Sequence, residues 1–202
     1  MTSLMTTKET NTIVLGVDPG TQITGYAVAA MKANSLELIT IGVLHLEKTE
    51  QSDYEKFGTL FEQLNNIIQQ FQPHYFAIES PFYGKNIQTL LKLGRVQGIA
   101  MAAALQHKLP IFEYAPRKIK QSVTGNGNTT KEQVAFVLQK LFGNQFPTEK
   151  LLLDATDALA VAVCHLFQYQ TEKTLNPKTS SRKPKANSNW ENFVKENPSR
   201  IT

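Results

Sequence analysis

Apolar and polar positions alternate between two periods along this chain, and the switches mark out its elements. Thr12–Asp18 (TIVLGVD) is a β-branched apolar run that ends in Asp-Pro-Gly, the pattern of a buried strand entering a turn. Thr24–Ala30 and Leu36–Leu46 read as two further strands, completing a meander. In Asp53–Phe71 the apolar residues Phe57, Leu60, Phe61, Leu64, Ile67, Ile68 and Phe71 recur at helical spacing, and Pro73 stops the helix. His74–Glu79 is a short strand ending on a carboxylate. Asn86–Gln106 is a long Leu- and Ala-rich helix, and Pro110–Tyr114 a last strand. After Gly125-Asn126-Gly127-Asn128, which reads as a flexible loop, Thr129–Phe142 and Asp154–Phe167 are helices, with Asn or Thr residues as cap candidates for the first. A meander followed by strand–helix alternation predicts an α/β fold: a mixed five-stranded sheet with helices on its faces.

Composition narrows the class. Of 202 residues, 41% are hydrophobic and 19% charged, enough for one compact domain with a sizeable core. No apolar run reaches the ~18 residues of a membrane span, and Met1–Thr12 is polar and Thr-rich, unlike a secretory signal. The single cysteine, Cys164, sits in an apolar run and reads as a buried free thiol. These features predict a soluble, cytoplasmic, disulfide-free protein.

The charge is uneven. Residues 1–170 carry 14 Lys+Arg and 14 Asp+Glu, whereas 171–202 carry 7 against 3, so the net +4 lies in the C-terminal segment. Rich in Ser, Asn, Pro and Lys, that segment reads as a largely disordered basic tail appended to a domain at 12–170. Trp190, Phe193 and Val194 form a small apolar cluster in it. Within the neutral part, eight basic residues fall between Lys85 and Lys131, with Glu113 the only acid. Such a run is a solvated face unless it borders a site that handles a polyanion.

Four acids stand out from the rest. Asp18 and Glu79 each terminate an apolar strand, where side chains emerge from a rigid scaffold. Asp154 and Asp157 are three apart at the head of an apolar helix. Singly, each is explained by a turn or a helix cap. A convergent set would repel itself unless divalent cations neutralised it, and all-oxygen ligation suits Mg²⁺ or Mn²⁺ rather than zinc. Paired ions of that kind serve in-line attack on phosphodiesters.

The motifs Gly16-Val17-Asp18-Pro19-Gly20-Thr21 with Thr24-Gly25-Tyr26, Phe76-Ala77-Ile78-Glu79, Lys85-Asn86 and Leu91-Lys92-Leu93-Gly94 resemble the bacterial RuvC family of Holliday-junction resolvases. So do Phe112-Glu113-Tyr114-Ala115 with Lys118-Ile119-Lys120-Gln121, and Asp154-Ala155-Thr156-Asp157-Ala158-Leu159-Ala160. They occur in order across about residues 12–170. The resemblance implies an RNase H-like fold, a homodimer, and symmetric Mg²⁺-dependent nicking of four-way DNA junctions alongside the RuvA–RuvB branch-migration complex. It places the catalytic, metal-holding carboxylates on Asp18, Glu79, Asp154 and Asp157, with two Mg²⁺ per subunit. It places DNA contacts on Phe82, Lys85, Lys120 and Lys131, with Phe82 stacking on a base. Ser80-Pro81 and Tyr83-Gly84 depart from the family pattern, and the segment beyond residue 170 is expected to have no family counterpart. Two other readings compete. An actin-like ATPase shares the Asp18-Pro19-Gly20-Thr21 loop but needs two such domains. A non-catalytic junction-binding module would gain nothing from clustered acids. Paired nicks call for a dyad, and the small-residue face Gly94, Gly98, Ala102 of the Asn86–Gln106 helix is the candidate interface, with close helix–sheet packing as the competing explanation.

Overall fold

The computed structural model describes residues 11–46, 52–81, 86–147 and 153–175. The chain divides into units at 1–168 and 169–202, and of the second only the end of the last helix is described. Strands β1 (Thr12–Asp18), β2 (Ile23–Lys32), β3 (Ser35–His45), β4 (Tyr75–Glu79) and β5 (Ile111–Tyr114) form one sheet in the order β3-β2-β1-β4-β5. The β1–β2 and β2–β3 pairs are antiparallel, and β1–β4 and β4–β5 are parallel. This is the mixed five-stranded sheet the alternating pattern predicts, with β1 at its centre.

Strand alternation sends successive residues to opposite faces, and the two faces carry different side chains. Leu15, Val17, Val28, Phe76 and Ile78 pack with helices α1 (Asp53–Phe71) and α2 (Ile87–Gln106). Val14, Ala27, Ala29 and Ala77 pack with α3 (Pro116–Thr124), α4 (Lys131–Phe142) and α5 (Leu153–Leu175). The second face is built of small residues, so α5, itself rich in alanine, lies close against it. Gly16 marks one close approach: a Cβ there would fall 2.3 Å from the Ala158 carbonyl oxygen. Cys164 is buried in this layer, as expected. His165, 2% exposed, is hydrogen-bonded through Nδ1 to the Tyr114 hydroxyl at 2.8 Å.

Helix starts follow their capping residues. Ser52 with Glu55, and Thr130 with Gln133, form reciprocal capping boxes on α1 and α4, and Asn86 caps α2. Three features depart from the sequence-based expectation. Helix α3 is unforeseen: only Ile119 and Val123 are buried along its nine residues, and Ala115 supplies no side-chain cap, so Pro116 at its first position is the lone signal. The loop after it is not loose, because the Thr124 hydroxyl donates to the Asn126 carbonyl at 3.0 Å and Asn126 Oδ1 accepts from the Asn128 amide at 3.0 Å. Gly125 ends α3 in the left-handed region at φ 80°, where a β-carbon would be strained. Helix α5 runs past Phe167 to Leu175, with no Gly or Pro until Pro177.

Candidate active site

Val17 on β1 lies opposite Ile78 on β4, so Asp18 and Glu79 follow one step on at neighbouring strand ends. Alternation turns both toward the α5 layer, the face that Gly16 and Ala77 share. The turn after Asp18 is held by Thr24, fully buried, whose hydroxyl accepts from the Gly20 amide and donates to the Gly20 carbonyl. Glu79 is fixed from the other side, since the Ser80 amide extends the ladder to the Tyr114 carbonyl at 2.9 Å. Helix α5 reaches the same place because Gly25, opposite Asp18 in the β1–β2 register, carries no side chain.

A cleft of about 430 Å³ opens there. Asp18, Glu79 and Asp157 line it together with Arg117 and Lys120 from α3, Gly127 and Asn128 from the loop, and Lys131 from α4. Five separate chain segments thus bring three acids and three bases to one concavity. Asp154, the fourth predicted acid, is not among the lining residues. Three helical positions rotate a side chain about 60° from its partner, which takes Asp154 off the axis that Asp157 follows. It stays near enough to contribute to the negative field at Asp18.

The electrostatics record the crowding. Burial pushes the Asp18 carboxyl up from its ordinary 3.8 to about 8, with repulsion from Glu79, Asp157 and Asp154 adding and Lys131 opposing. Burial likewise raises Glu79 from 4.5 to about 7, with repulsion from Asp157 adding and Lys131 and Lys120 opposing. Lys131 is ion-paired to Asp157. Burial alone would lower its pKa, but the hydrogen bond and charge of Asp157, with Asp18 and Asp154, raise it overall.

A group of oxygen donors that resists ionising together is the donor set a hard divalent cation stabilises, so these residues suit such an ion chemically. Among the described residues, no three acids, histidines or cysteines are gathered closely enough to hold one as they stand, and Lys131 engages Asp157. Of the predicted DNA contacts, Lys120 and Lys131 line the cleft, while Phe82 and Lys85 lie outside the described residues. Arg117 and Asn128 were missed as site residues. Arg117 belonged to the basic run, and a helix predicted over 116–124 would have placed it one turn from Lys120. No helix among the described residues is long and apolar enough to cross a membrane.

Comparison with known proteins bears on this geometry. The profile of the family described as crossover junction endodeoxyribonuclease RuvC matches residues 14–165. A Cytophaga hutchinsonii protein of that description is 50% identical over 196 residues, covering 96% of this chain and 90% of its own. One from Porphyromonas gingivalis is 47% identical over 191 residues, covering 94% and 96%. Matches of this extent run well past residue 170, so the C-terminal segment does have counterparts, against the expectation from sequence. Among solved structures, Thermus thermophilus RuvC in complex with a Holliday junction substrate superposes with a TM-score of 0.73 at 26% identity, covering 79% of this chain and 96% of that one. A yeast mitochondrial Holliday junction resolvase shares the fold at a TM-score of 0.61 and 19% identity. The actin-like ATPase reading finds no favour in the family match. With its RNase H-like sheet and its acidic cleft, the chain belongs to the RuvC family of crossover junction endodeoxyribonucleases.

Proposed function

We propose that this protein resolves Holliday junctions by hydrolysing DNA phosphodiesters in the cleft between β1, β4 and α5. The observation that carries the reading is the convergence of Asp18, Glu79 and Asp157 with Lys120 and Lys131 in one concavity. A pure binder of polyanions has no use for three acids at the centre of its basic surface, whereas phosphodiester hydrolysis does. Asp18, Glu79 and Asp157, with Asp154 at the edge, would hold divalent cations, Mg²⁺ by choice and Mn²⁺ as a substitute, two per subunit. Such ions, when bound, lower the pKa of a water nucleophile and neutralise a leaving oxygen.

The chain's own residues do the rest. Asp18, on the central strand and followed by the turn that Thr24 staples at Gly20, would be a central donor to the ions. Lys120 and Lys131 hold backbone phosphates, giving affinity that weakens with salt and reads no sequence. Phe82 and Lys85 follow Glu79 by three and six positions, where Phe82 would stack on an unpaired base at the crossover and Lys85 would meet a phosphate.

Paired nicks on opposite strands need two such clefts related by a dyad. On α2, Ile87, Leu91 and Leu105 are 71%, 56% and 63% exposed and share a face with Gly94 and Gly98, beside which a Cβ would meet nothing within 4 Å. That face does not pack on the sheet, which favours its use as the homodimer interface. The family resemblance adds the RuvA–RuvB complex as partner and the cytoplasm as location.

The direct test incubates a labelled synthetic four-way junction with the protein in Mg²⁺, Mn²⁺ or EDTA and maps the products. Symmetric paired nicks with either metal and none in EDTA are expected. Tight binding without nicks in any metal would instead establish a non-catalytic junction-binding module.

A further inference from the structure

Arg117 and Gly127 are packed together at the rim of the cleft. A Cβ on Gly127 would lie 2.6 Å from Arg117 Cγ, 3.0 Å from its carbonyl oxygen and 3.3 Å from Nε. The backbone of Gly127 is not in the left-handed region, so glycine is needed here for space. The second glycine of the Gly-Asn-Gly-Asn loop therefore serves as a seat for the stem of one arginine.

The seat has a direction. Arg117 and Gly127 both line the concavity that holds Asp18, Glu79 and Asp157. Among the described residues Arg117 nonetheless makes no ion pair, whereas Lys131 in the same cleft is engaged by Asp157. A guanidinium offers parallel donors matched to two oxygens of a phosphate, and it stays charged at any working pH. Holding its aliphatic stem removes part of the side-chain entropy that an exposed arginine otherwise loses on binding.

We infer that Arg117, seated by Gly127, is a phosphate clamp that grips a DNA backbone phosphate beside the one presented to the carboxylates. The inference deepens the nuclease reading above and rests on it for the identity of the strand. It also explains why the loop after α3 is pinned by Thr124 and Asn126, since a loose loop would not seat the side chain.

The test measures affinity for a fluorescent four-way junction, and for linear duplex, across a salt series in EDTA. The proteins are wild type, Arg117→Ala, Arg117→Lys, Gly127→Ala and the Arg117→Ala/Gly127→Ala pair. Arg117→Ala should weaken junction binding about tenfold at low salt, the scale of a charged hydrogen bond, and flatten the log K against log [salt] slope by about 0.9. Arg117→Lys should keep the slope but recover only part of the affinity. Gly127→Ala should weaken binding with Arg117 still present, and the double variant should be no weaker than Arg117→Ala alone. An unchanged slope in Arg117→Ala, or a double variant that falls by the product of the two singles, overturns the clamp. Should Gly127→Ala melt far below wild type, the alanine and lysine variants of Arg117 decide the matter. Wild-type protein that fails to prefer the junction over duplex counts against the junction reading instead, while the duplex slopes still report on Arg117.

Discussion

The Gly25 α-carbon and the Asp154 carbonyl oxygen are so close that a methyl group on Gly25 would lie 1.9 Å from that oxygen. Because Gly25 also stands opposite Asp18 in the strand register, this one contact sets the spacing between the β1 carboxylate and the α5 carboxylates. Gly25→Ala must push α5 off the sheet. The expected cost is about 1–3 kcal/mol from overpacking, which lowers the melting temperature by roughly 2–12 °C in a domain of this size. Cleavage per folded molecule should fall further than stability does, since the site opens by the same displacement. Thermal melting beside a single-turnover cleavage assay checks both, and an unaltered rate would mean that helix placement does not set the site.

Neutralising the acids separates chemistry from binding. Asp18→Asn, Glu79→Gln, Asp154→Asn and Asp157→Asn should each cut cleavage by at least about a hundredfold, or roughly 2.7 kcal/mol of barrier, while junction affinity stays level or rises. On the proposed reading each change removes a metal ligand and one negative charge from a surface that approaches phosphate. Gel shifts with parallel cleavage time courses make the comparison. Near wild-type cleavage by Asp154→Asn would agree with its place outside the cleft lining and remove it from the ligand set.

What could be read from the sequence depended on how much of each signal was local. The strands and the long helices carry clear periods of two and 3.6, and Asp18 and Glu79 could be singled out because each closes an apolar strand. Their convergence with Asp157 was not legible from spacing. It is produced by the parallel β1–β4 register and by two glycines, Gly16 and Gly25, whose function is the absence of a side chain. Helix α3 went unseen because nine residues with two buried positions give too weak an apolar period, and Arg117 went unseen with it. Likewise, the Gly-Asn-Gly-Asn run signals flexibility by composition, yet its hydrogen bonds are supplied by Thr124 and by its own asparagines.

The exposed face of α2 yields a prediction about assembly. Leu91→Glu and Leu105→Glu place charges on a face that already touches solvent in the single chain, so monomer stability should change by no more than about 0.5 kcal/mol. If this face joins two copies, both variants should sediment as monomers at concentrations where wild type is dimeric. They should then nick junctions on one strand at a time instead of releasing paired products. Sedimentation together with a supercoiled cruciform substrate, which distinguishes single from paired nicks, reads out both. Dimeric variants would move the interface elsewhere.

The raised carboxyl pKa values predict a stability that depends on pH and metal together. Folded protein keeps a proton on Asp18 up to about 8 and on Glu79 up to about 7, whereas the unfolded chain releases both near their ordinary values of 3.8 and 4.5. Between those limits the folded state binds more protons, so stability in EDTA falls as pH rises from about 5 to 8. His165 acts in the opposite sense. Burial lowers it from 6.5 to about 4, so its contribution is lost as pH falls through that window, which blunts the trend below pH 6.5. Lys131, already above its ordinary 10.5, stays charged throughout and adds no slope. At pH 5 Asp18 is neutral in the fold and close to isosteric with asparagine, and only a minor part of the penalty above 3.8 has accumulated, so Asp18→Asn should melt only slightly above wild type there. At pH 8 in EDTA it should melt higher by about 3 °C or more, the scale of ~1 kcal/mol in this size range. Mg²⁺ should stabilise wild type far more at pH 8 than at pH 5, because binding requires the ionised carboxylates and relieves their repulsion. Differential scanning fluorimetry of both proteins at the two pH values, with Mg²⁺ or EDTA, measures every arm. A pH-independent wild-type melting temperature in EDTA would show that burial does not hold Asp18 and Glu79 protonated in the folded chain.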